Sequence, residues 1–174
     1  MSGALDVLIV GGGPAGLATA IRARLAGLAV TVLDRAVPPI DKACGEGLMP
    51  DAVARLREIG VEPRGVAFRG IRYLDGDTIA EGIFPHSGGL GVRRTELHAA
   101  LVRRAEEVGV ELRWGVKAVG FAEGGVQTDQ GVFAARWIVG ADGLRSPVRH
   151  WAGLGGGEAP LRRFGVRRHF AMAP

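Results

Sequence analysis

Apolar residues run along this chain in short blocks punctuated by glycine, and the spacing inside each block predicts what it becomes. Leu5 to Val10 is continuously apolar and ends at Gly11-Gly12-Gly13, the pattern of a buried strand followed by a tight turn. Pro14 then stands where the first turn of a helix tolerates a residue without a backbone N–H. Leu17, Ile21 and Leu25 recur at four-residue spacing, one face of a helix that Gly27 stops. Ala29 to Leu33 is a second apolar run, closed by Asp34, so the chain is expected to open with a strand–helix–strand unit.

Two further helices end in the same way. One carries Val53, Leu56 and Ile59 before Gly60, with expected bounds Asp51 to Ile59; the other carries Leu97, Leu101 and Val108 before Gly109. A Val follows each glycine and is expected to reopen an extended segment. Between these helices, Val66 to Leu74 and Thr78 to Phe84 flank Asp75-Gly76, which predicts a hairpin with a primed turn in a separate layer. Short strands around Val116 to Phe121, Val126 to Thr128 and Val132 to Ala134 suggest a β-meander, and Trp137 to Gly140 a strand returning to the main sheet. Gly165 to Met172 reads as a strand just beginning, after a flexible Gly155-Gly156-Gly157 connection, so the chain is read as truncated. The fold class expected is α/β: a Rossmann-like domain with a β-meander, plus the start of a mostly antiparallel substrate domain. Residues 1–61 and 93–155 are assigned to the first, residues 62–92 and 156–174 to the second.

Composition narrows the class further. With 174 residues, 47% of them hydrophobic, the chain can bury the core of one ordinary domain. The single cysteine, Cys44, excludes an internal disulfide framework, and Asp6 interrupts any secretory apolar segment, so a cytoplasmic setting is expected. The 22 Lys and Arg barely exceed the 18 Asp and Glu, which argues against nucleic acid as a partner. Arg162, Arg163, Arg167, Arg168 and His169 do cluster, but Phe164, Val166 and Phe170 interleave with them as in a half-exposed strand with a solvated face. The four histidines, His86, His98, His150 and His169, lack metal-ligand spacing, and no metal site is expected. Trp114, Trp137 and Trp151 are expected in the core. No nucleophile elbow supports a hydrolase.

The chemistry begins at the first turn. Gly11, Gly13 and Gly16, with Pro14 and Ala15 between them, form G-x-G-x-x-G after a strand and at the start of a helix. The first glycine permits the turn, the second lets backbone approach a pyrophosphate, and the third lets helix and strand pack closely, while the helix N-terminus favours the phosphates. Asp34 ends the next strand where a ribose hydroxyl would donate; pairing with Arg35 is its other reading, and an acid there disfavours a ribose 2′-phosphate. Arg94 is a fixed cation at a helix start, and Asp142-Gly143 follows a buried strand at a ligand-prone carboxyl end. Read alone, they are equally a surface arginine and an Asp-Gly turn.

Three stretches share order and spacing with one family. Asp6 to Leu17, Arg94-Thr95-Glu96-Leu97 and Gly140 to Arg149 resemble flavoproteins of the para-hydroxybenzoate hydroxylase fold over nearly the whole chain. The resemblance implies FAD as cofactor and NADH or NADPH as electron donor. It places Arg94 by the phosphates and Asp142 and Gly143 near the pyrophosphate, where they help manage the donor. Arg35 and Ala118 complete the expected cofactor set.

Asp41 to Pro50 carries Lys42, Cys44, Gly45, Glu46 and Gly47 and looks like the Cys-Gly stretch of the geranylgeranyl reductase branch. By that resemblance it passes beside the flavin ring, with Lys42 meeting a phosphate and Cys44 touching flavin or substrate; a small buried hydrophobe is the other reading of Cys44. The expected function is an FAD-dependent reductase of polyprenyl-type (geranylgeranyl) double bonds acting on a small or lipid-like substrate, with peripheral membrane contact if that substrate is polyprenyl. The alternatives are an aromatic or polyketide monooxygenase, a flavin-dependent halogenase and, outside catalysis, a nucleotide-binding sensor. No catalytic residue is assigned, and these residues alone are expected to be inactive.

Overall fold

The computed structural model describes residues 5–155 and 164–171. The opening unit is β1 (Val7–Val10), α1 (Pro14–Leu25) and β2 (Val30–Asp34). β3 (Gly47–Leu48), α2 (Pro50–Glu58), β4 (Val66–Phe68), β5 (Gly70–Asp75), β6 (Thr78–Ile83) and β7 (Gly89–Gly91) follow. The rest is α3 (Arg94–Glu107), β8 (Glu111–Trp114), β9 (Ala118–Ala122), β10 (Gly125–Thr128), β11 (Gly131–Ala134), β12 (Trp137–Gly140) and α4 (Pro147–Trp151).

The main sheet has the order β12-β1-β2-β8 with every pairing parallel, Val7 standing beside Val30 on one side and Trp137 on the other. Such a sheet is covered on both faces, which is why β1 is apolar at every position and not alternating. Val7 and Ile9 face α1 and α3, packing with Leu17, Ile21, Val32 and Leu101. Leu8 and Val10 face the other way, with Leu33, Val116, Val126 and Val148. That second layer is the meander β11-β10-β9, antiparallel throughout.

The expected elements are present with shifts that packing explains. The predicted strand Val66 to Leu74 is two strands: β4 pairs with β7, which also pairs with β3, while β5 pairs with β6. The hairpin turn also moves, since Asp75 pairs with Thr78 and leaves Gly76 and Asp77 as the loop. Gly76 has φ 55 and Asp77 is not positive, the arrangement of a II′ turn. After Gly60 no strand reopens; Val61 is instead buried at 2% exposure against α2 and α3. Residues 164–171 form no strand, contrary to expectation, because their polar groups bond to a distant loop and not to a sheet edge. Met172, Gly156, Gly157, Arg162 and Arg163 lie outside the described residues. Trp137 is 61% exposed and not core: β12 is an edge of the sheet, and the Arg136 guanidinium stands 5.9 Å from its ring. Among the described residues no helix is long and apolar enough to cross a membrane.

Candidate functional site: the glycine turn and the cleft beside it

The turn between β1 and α1 is held by backbone contacts that leave no room for side chains. A Cβ on Gly16 would lie 1.8 Å from the Gly11 carbonyl oxygen, and one on Gly11, whose φ is 115, would lie 2.3 Å from the Ala141 oxygen. The turn after β1 and the turn after β12 therefore meet backbone to backbone. Gly13 differs: a Cβ there would have a single neighbour within 4 Å, Arg94 Nη2 at 3.6 Å. Its glycine is required by nothing in the chain itself, which fits the backbone approach to a ligand that the fingerprint needs.

Arg94 opens α3 at this point, and its Nε is buried without a hydrogen-bond partner among the described residues. A buried guanidinium N–H without an acceptor is costly, so the arrangement suits an external anion. Pro14 and Ala15 form the first turn of α1, whose free N–H groups add to the same field.

Beside the turn is a cleft of about 560 Å³ lined by Gly11, Asp34, Arg35, Lys42, Lys117, Ala118, Asp142, Gly143, Arg145 and Trp151 among others. Asp34 is fixed there by two backbone donors, Gly12 N–H to Oδ2 at 2.7 Å and Ala36 N–H to Oδ1 at 2.8 Å. It forms no ion pair with Arg35 among the described residues; both line the cleft instead. Asp142 is engaged differently. Its Oδ1 accepts from the Ser146 hydroxyl and its Oδ2 from Val148 N–H at 3.1 Å, so this carboxylate secures the start of α4 and the Asp142-Gly143 turn presents backbone to the cleft.

Residues 4–168 match the family described as FAD binding domain. The chain belongs to this FAD-binding domain family. It is 36% identical to a menaquinone reductase of Mycobacterium tuberculosis over 82% of this chain and 38% of that protein. It is 34% identical to a rifampicin monooxygenase of Streptomyces venezuelae over 90% of this chain and 36% of that protein. Among solved structures, p-nitrophenol 4-monooxygenase of Pseudomonas putida superposes with a TM-score of 0.74 at 25% identity, covering 86% of this chain and 44% of the other. The chain thus spans well under half the length of these relatives, none of which bears the name of the geranylgeranyl reductase branch.

The groups present in this FAD-binding domain fit the cofactor: an open glycine, an unpartnered buried Arg94 Nε, a helix N-terminus and an acid-ended cleft are the parts a dinucleotide uses. The Cys-Gly stretch is less simply placed. Lys42 lines the cleft, whereas Cys44 and Gly45 do not. Cys44 is exposed, which removes the reading of it as a buried hydrophobe, and its sulfur accepts a weak bond from Glu46 N–H at 3.4 Å.

Sequence reasoning missed Glu46 and His98. Glu46, at φ 56, accepts from the Arg94 backbone N–H at 2.8 Å, from Arg167 Nη1 at 2.8 Å and from His169 Nε2 at 2.7 Å. Arg167 also holds Asp41 at 2.7 Å, so residues the sequence assigns to a solvated strand face instead clamp the segment around Cys44 to α3. The Arg94 N–H, then His169, keep the Glu46 carboxyl below its usual 4.5. His98, 1% exposed, donates from Nε2 to the Gly12 carbonyl at 2.9 Å, and burial pushes it below its ordinary 6.5. Its four-residue spacing from Arg94 puts both on one face of α3, a signal the sequence did contain.

These two groups set an acid limit. Below pH 6.5 the unfolded chain takes a proton at His98 that the folded chain resists, so the stability His98 provides is complete above 6.5 and is lost as pH falls through its lower folded value. Glu46 acts the same way from 4.5 downward. Thermal melts between pH 8 and 4 are expected to show a melting temperature that declines first below 6.5; in His98→Gln the decline should begin only in the carboxylate range. An identical profile in the variant would remove His98 as the cause.

Proposed function

We propose that the full protein is an FAD-dependent monooxygenase that hydroxylates an aromatic or polyketide-type small molecule at the expense of NADH or NADPH. The observation that carries the flavin part of this reading is the convergence, at the carboxyl ends of β1 and β2, of an open Gly13, an Arg94 Nε without a partner among the described residues and the Asp34-ended cleft. Likeness to rifampicin monooxygenase and p-nitrophenol 4-monooxygenase supports the hydroxylation part. When bound, FAD supplies two-electron chemistry that side chains lack. The chain's own residues would hold it: Gly13, Pro14, Ala15 and Arg94 at the phosphates, Asp34 and Arg35 at the ribose end, Lys117, Ala118 and the Asp142-Gly143 backbone along the cleft wall. Lys42 brings a cation to the same cleft. The Glu46 clamp keeps the Cys44 segment near α3.

A second reading, reduction of polyprenyl-type carbon–carbon double bonds, has its own support in the Cys-Gly stretch and in the 36% identity with a menaquinone reductase. No observation favours a halogenase or a non-catalytic sensor.

Isotopically labelled dioxygen separates the two. The full protein is reduced with NADH or NADPH and offered phenolic substrates under labelled oxygen, or polyprenyl quinones without oxygen. Label in the product supports hydroxylation; a saturated prenyl product formed anaerobically replaces it with the reductase reading; absence of any donor-driven bleaching of flavin absorbance overturns both.

A further inference from the structure

Gly12 is the middle residue of the fingerprint turn and carries no assigned role, yet it is restrained at all three of its backbone groups. Its N–H donates to Asp34 Oδ2 at the end of β2. A Cβ on it would lie 2.3 Å from Trp114 Cζ3, so the indole at the end of β8 closes against its Cα. Its carbonyl accepts from His98 Nε2, one turn along α3 from Arg94. Three elements of the fold therefore meet on one small residue.

The third restraint bears on the neighbour. The Gly12–Gly13 peptide is trans, and in a trans peptide the carbonyl of one residue and the N–H of the next point in opposite directions. Drawing the Gly12 carbonyl toward buried His98 turns the Gly13 N–H away from the core. A Cβ on Gly13 would have one neighbour within 4 Å, the Arg94 guanidinium at 3.6 Å, so a ligand phosphate drawn to Arg94 would come close to this peptide. The Gly13 N–H finds no acceptor among the described residues. A freely rotating Gly12-Gly13 pair would visit many orientations, since glycine restricts neither φ nor ψ.

We propose that His98 is a positioning residue for the cofactor's pyrophosphate: through its hydrogen bond to the Gly12 carbonyl it fixes the Gly13 N–H in the direction of the phosphates that Arg94 attracts. The inference rests on the FAD reading above. A carbonyl accepts only, so the Nε2–H tautomer is required; the ring's charged neighbours are Arg94 on α3 and Asp34 at the end of β2.

The test is binding to the apo form of the full protein, with FAD, ADP and adenosine as three probes. His98→Leu keeps an apolar body without a donor; His98→Gln sets an amide N–H close to where Nε2 stands. His98→Leu is expected to weaken FAD and ADP alike by about tenfold, the size of one hydrogen bond to a charged group, and to leave adenosine unchanged because it has no pyrophosphate. His98→Gln should recover ADP binding. Wild-type ADP affinity in His98→Leu, equal loss of ADP and adenosine, or a folded His98→Gln that recovers nothing would each overturn the assignment. If His98→Leu does not fold, the comparison of His98→Gln with His98→Asn, whose shorter amide cannot reach Gly12, decides in its place: retained ADP binding in the first and loss in the second supports the role, and equal binding in both overturns it. A wild-type protein that binds neither FAD nor ADP would instead sink the cofactor reading itself.

Discussion

Gly16→Ala should cripple folding, whereas Gly13→Val should leave folding intact and remove the flavin. The added methyl at Gly16 would overlap the Gly11 carbonyl oxygen at 1.8 Å and crowd Ala141 Cβ at 3.3 Å, and the first of these is backbone that no rotamer change relieves. Either the β1 turn or the start of α1 must move, and overpacking of this kind costs about 3 kcal/mol or more, a fall of about 10 °C in melting temperature for a chain this size. Gly13 has φ −75 and ψ 178, which any residue adopts, and open space around its Cα. A valine there should change the melting temperature of the apo form by no more than about 2 °C, as at other unconstrained sites. Its two methyls would occupy the room through which backbone reaches the pyrophosphate. Flavin content and thermal melts on both variants check this, and stoichiometric FAD in Gly13→Val would mean that the phosphates lie elsewhere.

Arg94→Ala should lower FAD affinity by about ten- to a hundredfold, the range for a hydrogen-bonded charge, without moving substrate preference. The side chain and backbone of Arg94 do separate work: the guanidinium faces Gly13, while the N–H is held by Glu46. Alanine removes only the first, so the start of α3 and the segment around Cys44 should stay in place. Arg94→Lys should recover part of the loss, since it restores charge but not the planar fork. Titration of the apo variants with FAD measures this. Unchanged affinity with a shifted substrate range would move Arg94 from cofactor to substrate.

Local pattern reached most of the fold and, in the candidate site, the residues whose neighbours in space are also neighbours in sequence. The turn after β1 was legible because its glycines, proline and helix face lie within a few residues of one another, and Asp34 because it closes the very next strand. Glu46, Arg167 and His98 were not, since their bonds join residues 121 and 86 positions apart and nothing in periodicity announces which loop a side chain will reach. The strand expected at Gly165 to Met172 failed for the same reason: alternation of basic and apolar residues has two outcomes, and here Arg167 and His169 turn to carboxylates of a remote loop. Asp142 shows a subtler limit. It follows β12 as expected, though that strand is half-exposed and not buried, and only geometry reveals that Ser146 and Val148 occupy both its oxygens.

The β5–β6 hairpin gives the molecule two clocks. β6 is exposed along its whole length and Tyr73, Leu74 and Ile79 face solvent at 66%, 67% and 61%, so little apolar burial resists its opening. A two-stranded ribbon of this kind is marginal in water. Its amide protons should exchange with solvent through local openings of near-zero free energy, while those of β1, paired on both sides and buried throughout, wait for unfolding of the whole domain. A protease would therefore find Gly76 long before it found the glycine turn, and clipping there would leave the parallel sheet, with its cleft, still assembled.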